Sequence, residues 1–380
     1  MKSIIKKILY LILSLIFIIL RICKIKQNRI IFSSFGGKGY GENPKYVCDA
    51  LMDKKGDYEL VWSISKYDSD MPQQIKQVKI YSLKWFYYMV TSKVWVNDSR
   101  FPNFVKKRKG QFYIQTWHSS LRLKKIEKDV EKFLPRTYVD DAINDSEMMD
   151  LIICGSEFSK KTYQNSFWYN GPIAMFGTPK FDIYFAGIDQ KIKSNICKKF
   201  SIDENKKIVL YAPTFRTLDR NYNGNIDFDK FIDDEKFSDF CFLIRLHPEA
   251  QNKIKENKNI VDVTTYPNFQ DLLIASDFLI TDYSGCCFDA LIANKKCVLY
   301  VPDLDEYTKK ERELYFSYSE LPFVLAKNIE ELKNNILYFD DCKYQKNILS
   351  FSTRVGLCEN GDASILVANK IEEVIKNEKI

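Results

Sequence analysis

Residues 278–303, FLITDYSGCCFDALIANKKCVLYVPD, carry the reading of the fold. Phe278 to Thr281 is a short apolar run with the length and composition of a buried strand. It breaks at Asp282-Tyr283-Ser284-Gly285, where small and polar residues open a turn. An apolar helical pattern follows, and Cys297 to Val301 reads as the next buried strand. Strand, polar turn, helix, strand is a βαβ unit, with its turn at the carboxyl end of the first strand. In open α/β sheets that edge is where ligands bind. Backbone N–H groups at the helix start, with the Ser284 hydroxyl beside them, suit a phosphate. Asp282 and Ser284 are equally good helix caps, so this stretch alone leaves both readings open.

Outward from it, the same alternation fills the chain. In the second half Ile208–Ala212, Phe242–Leu246 and Ile260–Val263 join Phe278–Thr281 and Val298–Val301 as strands. In the first half the strands are Arg29–Ser33, Leu60–Ile64, Val94–Asn97, Phe112–Thr116 and Leu151–Cys154, several of them separated by helical patterns. Strands alternating with helices predict parallel, doubly wound sheets. A length of 380 residues suits about two domains. The expected fold is α/β, two Rossmann-like domains facing a cleft; a single large sheet with a cap is the alternative. The expected divisions are 1–26, 27–177, 178–355 and 356–380, the last a C-terminal amphipathic helix. The join is placed at Gly177-Thr178-Pro179, where Gly and Pro punctuate the chain.

Residues 1–26 stand apart. Ile8 to Leu20 is apolar except for Tyr10 and Ser14, with Lys2, Lys6 and Lys7 before it and Arg21, Lys24 and Lys26 after. The run is short for a span, which needs about 20 apolar residues. No small-residue cleavage site follows it, which argues against a removable signal peptide. Basic flanks favour a segment in the inner leaflet among anionic lipids, so membrane attachment at the cytoplasmic face is expected. A tilted or short spanning anchor is the alternative, and a buried core helix is the least favoured reading. The net charge of +7 agrees with anionic partners. No arginine-rich block or RNA-binding signature is present, and nucleic acid is not an expected partner. The ten cysteines are scattered, without a Cys-x-x-Cys pair, and read as reduced core residues of a cytosolic protein.

The chain has only two histidines. His118 ends the strand 112–117, and His247 ends the strand 242–246. Each lies at the ligand-binding edge of its own half, one in each, and histidine is the usual proton-transfer residue near neutral pH. If the halves face each other, both point into one cleft. Ser119, Ser120, Lys124 and Lys125 follow His118, although the two lysines read better as solvated surface cations. Arg216 follows a strand end and Arg245 precedes His247; arginine's planar fork suits phosphate. Gly36-Gly37-Lys38-Gly39 lacks the spacing of a nucleotide loop and reads as a flexible loop over the acceptor side. A divalent metal is optional: no carboxylate cluster stands out as a ligand set for it, and cationic side chains can neutralise a pyrophosphate.

Assembled in order, these motifs resemble the CDP-glycerol glycerophosphotransferase family of teichoic-acid primases and polymerases. The matching segments are FSSFGGKGYGENPKYVCDAL, QTWH at 115–118, GSEFS at 155–159 and SFWYNGPIAMFGTPKFD. They continue with YAPTFR at 211–216, RLHP at 245–248, SDFLITDYSGCCFDALIANK and GDAS from Gly361. The resemblance covers nearly everything after residue 28. It implies a GT-B-like fold and transfer of glycerol phosphate from CDP-glycerol, or another CDP-alditol, to a growing chain with release of CMP. It also implies a membrane-associated enzyme and a lipid-linked polyol phosphate or polysaccharide acceptor, of teichoic-acid or capsule type. By the same resemblance His118 is the general base on the acceptor hydroxyl, with Ser119, Ser120 and Lys38 on the acceptor side. His247, Thr214, Arg216, Arg245, Asp282, Tyr283 and Ser284 fall on the donor pyrophosphate. The family continues its first histidine as His-Gly-Thr-Pro; here His118-Ser119-Ser120-Leu121 departs from it, which reshapes the loop and leaves the acceptor open. A glycosyltransferase using a nucleotide sugar and a non-catalytic membrane-tethered binding protein are the rival readings.

Overall fold

The computed structural model describes residues 2–214, 226, 228, 231, 234–247, 254–304, 307 and 313–376. Two compact units are formed, the first from Met1–Ser120, Ile126–Asp182 and Leu357–Ile380, the second from Leu121–Lys125 and Ile183–Gly356.

The first unit holds β1 (Lys26–Ser33), β2 (Glu59–Ile64), β3 (Lys76–Lys79), β4 (Ser92–Asn97), β5 (Phe112–Gln115), β6 (Leu151–Ile153) and β7 (Ile173–Ala174). They make one parallel sheet in the order β3-β2-β1-β4-β5-β6-β7. The second unit holds β8 (Lys207–Tyr211), β9 (Phe240–Ile244), β10 (Ile260–Asp262), β11 (Phe278–Thr281), β12 (Lys296–Tyr300) and β13 (Val324–Ala326). These are again parallel, in the order β10-β9-β8-β11-β12-β13. Each sheet reverses its winding once, between β1 and β4 and between β8 and β11, and such switch points are where doubly wound folds bind ligands.

Both faces of the first sheet are buried, which is why its strands read as continuous apolar runs. Ile30, Phe32, Leu60, Trp62, Ile64, Val94 and Val96 enter one core cluster. Their alternates Ile31, Val61 and Trp95 enter the other, as a two-residue period requires. Three strands lacked such a signal. β3, KQVK, buries only Val78 at a sheet edge, β7 has two residues, and β13 has three.

Residues 356–380 are not a separate segment. Helix Ala363–Lys376 places Val367, Ala368, Ile371 and Ile375 in the core of the first unit. Its start is held by Asp182, whose carboxylate accepts the Ala363 and Ser364 N–H groups at 3.1 and 2.7 Å. The first unit also runs past the expected join at 177, because residues 178–182 are tied into it. Lys180 donates its N–H to Asn43 (3.1 Å) and pairs with Glu42 (2.8 Å), and Phe181 is fully buried.

The N-terminal helix α1, Lys2–Leu20, is likewise part of the first unit. Phe17 is fully buried and meets Trp85 and Phe86 edge-on, with centroids at 6.1 and 5.1 Å. Tyr10, Leu13, Ile16 and Leu20 pack on the same core. The least favoured reading, a core helix, therefore holds for one face of α1, because helical periodicity puts Tyr10, Leu13, Phe17 and Leu20 on one stripe. The other face leaves Ile8, Leu11, Ile12, Leu15, Ile18 and Ile19 exposed. Among the described residues no helix is long and apolar enough to cross a membrane. Cys154, Cys241 and Cys297 are buried, and no disulfide is formed among the described residues.

Candidate active site

In the first unit the site begins where β5 ends. Thr116 donates its N–H to the Asn97 carbonyl (2.9 Å), and Trp117 donates to Gln115 Oε1 (2.9 Å). The Asn43 amide holds the Thr116 and Trp117 carbonyls at 3.3 and 2.8 Å. Trp117 takes a left-handed backbone, φ 48°, which turns the chain out of the strand direction just before His118. The imidazole is partly exposed and lies flat against the Phe35 ring, with centroids 4.9 Å apart and planes 6° apart.

Phe35 follows β1 across the switch point. Asp98, which follows β4, is buried there and accepts the Phe35 N–H and the Ser34 hydroxyl, both at 2.8 Å. His118 and Lys38 open onto one cavity of about 400 Å³, which Ser99, Arg100, Tyr138 and Asp141 also line. Arg100 is a buried wall rather than a vacant phosphate site, since Glu127 (2.7 Å) and Asp145 (3.1 Å) pair with it. The glycine loop, expected from sequence to be a flexible loop, is tied down at Gly37. The Gly37 carbonyl accepts both the N–H and the hydroxyl of Ser65, at 2.8 and 2.9 Å. At its φ of 89° a Cβ would come within 2.9 Å of Ile80, so only glycine seats this loop on the end of β2.

Ser120 is separated from the cavity group by its burial. Its hydroxyl bonds to Thr178 and Glu359, and its carbonyl accepts the hydroxyls of Ser156 (2.6 Å) and Ser159. Glu359 also accepts the Thr178 N–H at 2.9 Å. A Cβ at Gly155 would collide with Glu359 and Ser120, and one at Gly177 would lie 2.9 Å from Glu359. Ser120, the GSEFS segment and Gly177-Thr178 thus converge with Glu359 on a knot behind the His118 loop. Ser120 anchors that loop instead of meeting a ligand. Ser119 is partly exposed, and its carbonyl accepts the Tyr163 hydroxyl at 3.4 Å.

The second unit repeats the switch-point arrangement. Asp282, directly after β11 and only 3% exposed, accepts the Thr214 N–H at 2.7 Å and the Tyr283 N–H at 2.6 Å. It is the counterpart of Asp98: in each sheet the acid after the fourth-wound strand holds the backbone just past the first. No sequence repeat announces this parallel. The Thr214 hydroxyl is buried with no hydrogen-bond partner among the described residues. Ser284 is partly exposed and accepts the Cys286 N–H at a long 3.4 Å. Tyr283 is a core residue rather than a donor contact. It is fully buried, donates to Asp303 (2.7 Å) and stacks on Tyr307 at 3.5 Å.

Arg245 donates its N–H to the Tyr211 carbonyl (2.8 Å), and its guanidinium lies 5.6 Å over the Phe269 ring. His247, two residues on, is exposed. Arg216 lies outside the described residues. Lys125 pairs with Glu313 at 2.6 Å on the second unit. Among the described residues no group of His, Cys, Asp or Glu is arranged to hold a metal ion. Asp98, Phe35 and Glu359 were missed in the sequence. An acid directly after a buried strand singled out Asp282, and the same signal was present at Asp98.

Burial pushes the carboxyls of Asp98 and Glu359 up to about 7, against the hydrogen bonds each accepts. Both folded values exceed the ordinary ones, so the folded chain holds protons that the unfolded chain releases. Their contribution to stability is therefore full below the ordinary carboxylate range and is lost as pH rises through about 7. The urea midpoint of the wild type is expected to fall as the pH rises from 5 to 8, and to fall less in the double variant D98N/E359Q. Equal slopes in the two proteins would contradict the assignment.

Residues 15–373 match the model of the family described as CDP-Glycerol:Poly(glycerophosphate) glycerophosphotransferase. The chain is 28% identical to the teichoic acid poly(glycerol phosphate) polymerase of Bacillus spizizenii, over 96% of this chain and 97% of that one. It is 30% identical to the teichoic acid glycerol-phosphate transferase of Staphylococcus aureus, over 91% and 93%. A solved structure of the wall teichoic acid polymerase TagF, a histidine-to-asparagine variant soaked with CDPG, is similar with a TM-score of 0.85 at 27% identity. That likeness covers 94% of this chain and 91% of the solved chain.

Proposed function

The chain belongs to the CDP-glycerol:poly(glycerophosphate) glycerophosphotransferase family, and from that premise we infer what its two sites do. The enzyme transfers glycerol phosphate from CDP-glycerol to an acceptor in teichoic acid synthesis and releases CMP. The observation that carries this is the family match running through both units, from residue 15 to residue 373.

In the reaction we assign to it, His118 takes the proton of the acceptor hydroxyl. The acceptor oxygen bonds to the glycerol-bearing phosphorus, and the bridging P–O bond breaks to leave CMP. Such a transfer depends on positioning and charge stabilisation more than on covalent chemistry by the protein. The His118 cavity, with Lys38 on its wall, is the acceptor side in this reading. The β8/β11 switch point is the donor side: Asp282 fixes the Thr214 backbone, the Thr214 and Ser284 hydroxyls are available to phosphate oxygens, and Arg245 and His247 supply cationic or donating groups. Arg216 has the same donor-side assignment from its motif.

Purified protein given CDP-glycerol, CDP-ribitol and UDP- or CMP-sugars should release CMP from a CDP-alditol. Release of UDP from a sugar donor alone would make it a glycosyltransferase, and no release from any donor would make it a binding protein. A polymerase and a transferase of nearly this length are both relatives, so length does not separate single addition from polymerisation; the length of the product chain does.

The acceptor we assign is lipid-linked, and the place of action the cytoplasmic face of the membrane. The exposed face of α1 supports this: Ile8, Leu11, Ile12, Leu15, Ile18 and Ile19 form an apolar stripe, and Arg21, Lys24 and Lys26 follow it. A helix with an apolar face and basic flanks suits the interface of an anionic bilayer. Deleting the segment would uncover Phe17's partners in the core, so point changes are the cleaner test. Leu11→Glu with Ile18→Glu is expected to abolish co-sedimentation with vesicles containing anionic lipid while leaving the thermal midpoint unchanged. Undiminished binding by that variant would move the anchor elsewhere.

A further inference from the structure

We propose that Phe35 is a positioning residue for His118, its ring setting both the direction and the basicity of the imidazole. The inference rests on the reading of His118 as the general base.

Phe35 is an unusual residue where it stands. Its side chain is 43% exposed, so burial does not account for a large apolar ring there. Its φ of 41° is in the left-handed region, where a bulky side chain is disfavoured. Local strain of this kind persists only where its surroundings impose it, and it gathers at functional sites. Here the surroundings are specific. Asp98 takes the Phe35 N–H at 2.8 Å and, through the Ser34 hydroxyl, the residue before it. What this geometry achieves is a ring parallel to the imidazole at 4.9 Å, with the Trp117 ring a further 4.7 Å neighbour tilted by 41°. The imidazole is thereby confined in rotation about its side-chain bonds.

The electrostatic consequence follows from the same contact. An aromatic face favours a cation over a neutral group, so the stack favours imidazolium and makes the neutral imidazole a stronger base. The other charges at the cavity oppose one another: Lys38 and Asp141 line it, and Arg100 is paired with Glu127 and Asp145. Asp98, behind the loop, is turned to Ser34 and Phe35, with Glu42 and Lys180 its nearest charged influences. Of the two aromatic rings beside His118, Phe35 is the one that lays its face parallel to the imidazole.

The chain's two histidines make the test direct, because His247→Ala leaves one imidazole to assign by NMR in the full-length protein. In Phe35→Leu the titration midpoint of His118 is expected to fall by about half a pH unit. In the same variant kcat for CMP release should fall roughly tenfold, a part of what a general base supplies, with KM for CDP-glycerol unchanged. Phe35→Trp should restore both the midpoint and kcat. An unmoved midpoint in Phe35→Leu overturns the proposal, whatever the activity does. A lowered midpoint with unchanged kcat, together with an active His118→Ala, keeps the effect of Phe35 on the imidazole and removes instead the role of His118 as base.

Discussion

His118→Ala is expected to lose about 10²–10⁴-fold in kcat for CMP release in the presence of acceptor, the range a positioned general base contributes. Affinity for CDP-glycerol should be unchanged, because the residue lies in the first unit and its assigned contact is the acceptor hydroxyl. The fold should survive the change. His118 is partly exposed, and the loop that carries it is held by Asn43 on the Trp117 carbonyl and by Glu359 on Ser120. Those anchors contain no imidazole atom. Steady-state kinetics with a CMP-release assay, beside calorimetric titration with CDP-glycerol, separates the two effects. Wild-type turnover in His118→Ala would end the proton-transfer role.

His247→Ala is the second large effect. The residue stands exposed past the end of β9, and the role assigned to it is to donate to the diphosphate and to the charge that gathers on departing CMP. Removing one such donor typically costs about 10²–10³ in kcat. Unlike His118→Ala, this change should also weaken binding of CDP-glycerol, since the diphosphate carries charge in the ground state. The contrast between the variants is the informative result: one loses rate alone, the other rate and donor affinity. Equal donor affinity in His247→Ala and wild type would place His247 outside the donor site.

Asp282 and Asp98 show how far the sequence could be read. Asp282 was singled out because an acid followed a buried strand at the edge where ligands bind. Its carboxylate does hold the Thr214 and Tyr283 backbone, so the residue orders the site rather than standing open in it. Tyr283 and Ser120 share motifs with candidate residues, yet both side chains are buried. Motif membership does not separate a residue that meets a ligand from one that braces it. In strands the separation follows side-chain alternation, but past the strand end it depends on turn geometry, such as the left-handed Trp117.

Local pattern alone determined the parallel α/β character of both halves, the strands that lie buried on both faces, and the edges at which His118, His247 and Asp282 emerge. Those features follow from runs of neighbouring residues, and neighbours are what a sequence lists. Packing decided the rest. It laid Phe35 on His118, brought Glu359 to Ser120 across a separation of 239 residues, and put the last helix in the core of the first unit. It also divided α1 into a face that completes that core and a face left exposed, although apolar residues occupy both. Apolarity states that a side chain gains by leaving water; which surface receives it is settled only when distant segments meet.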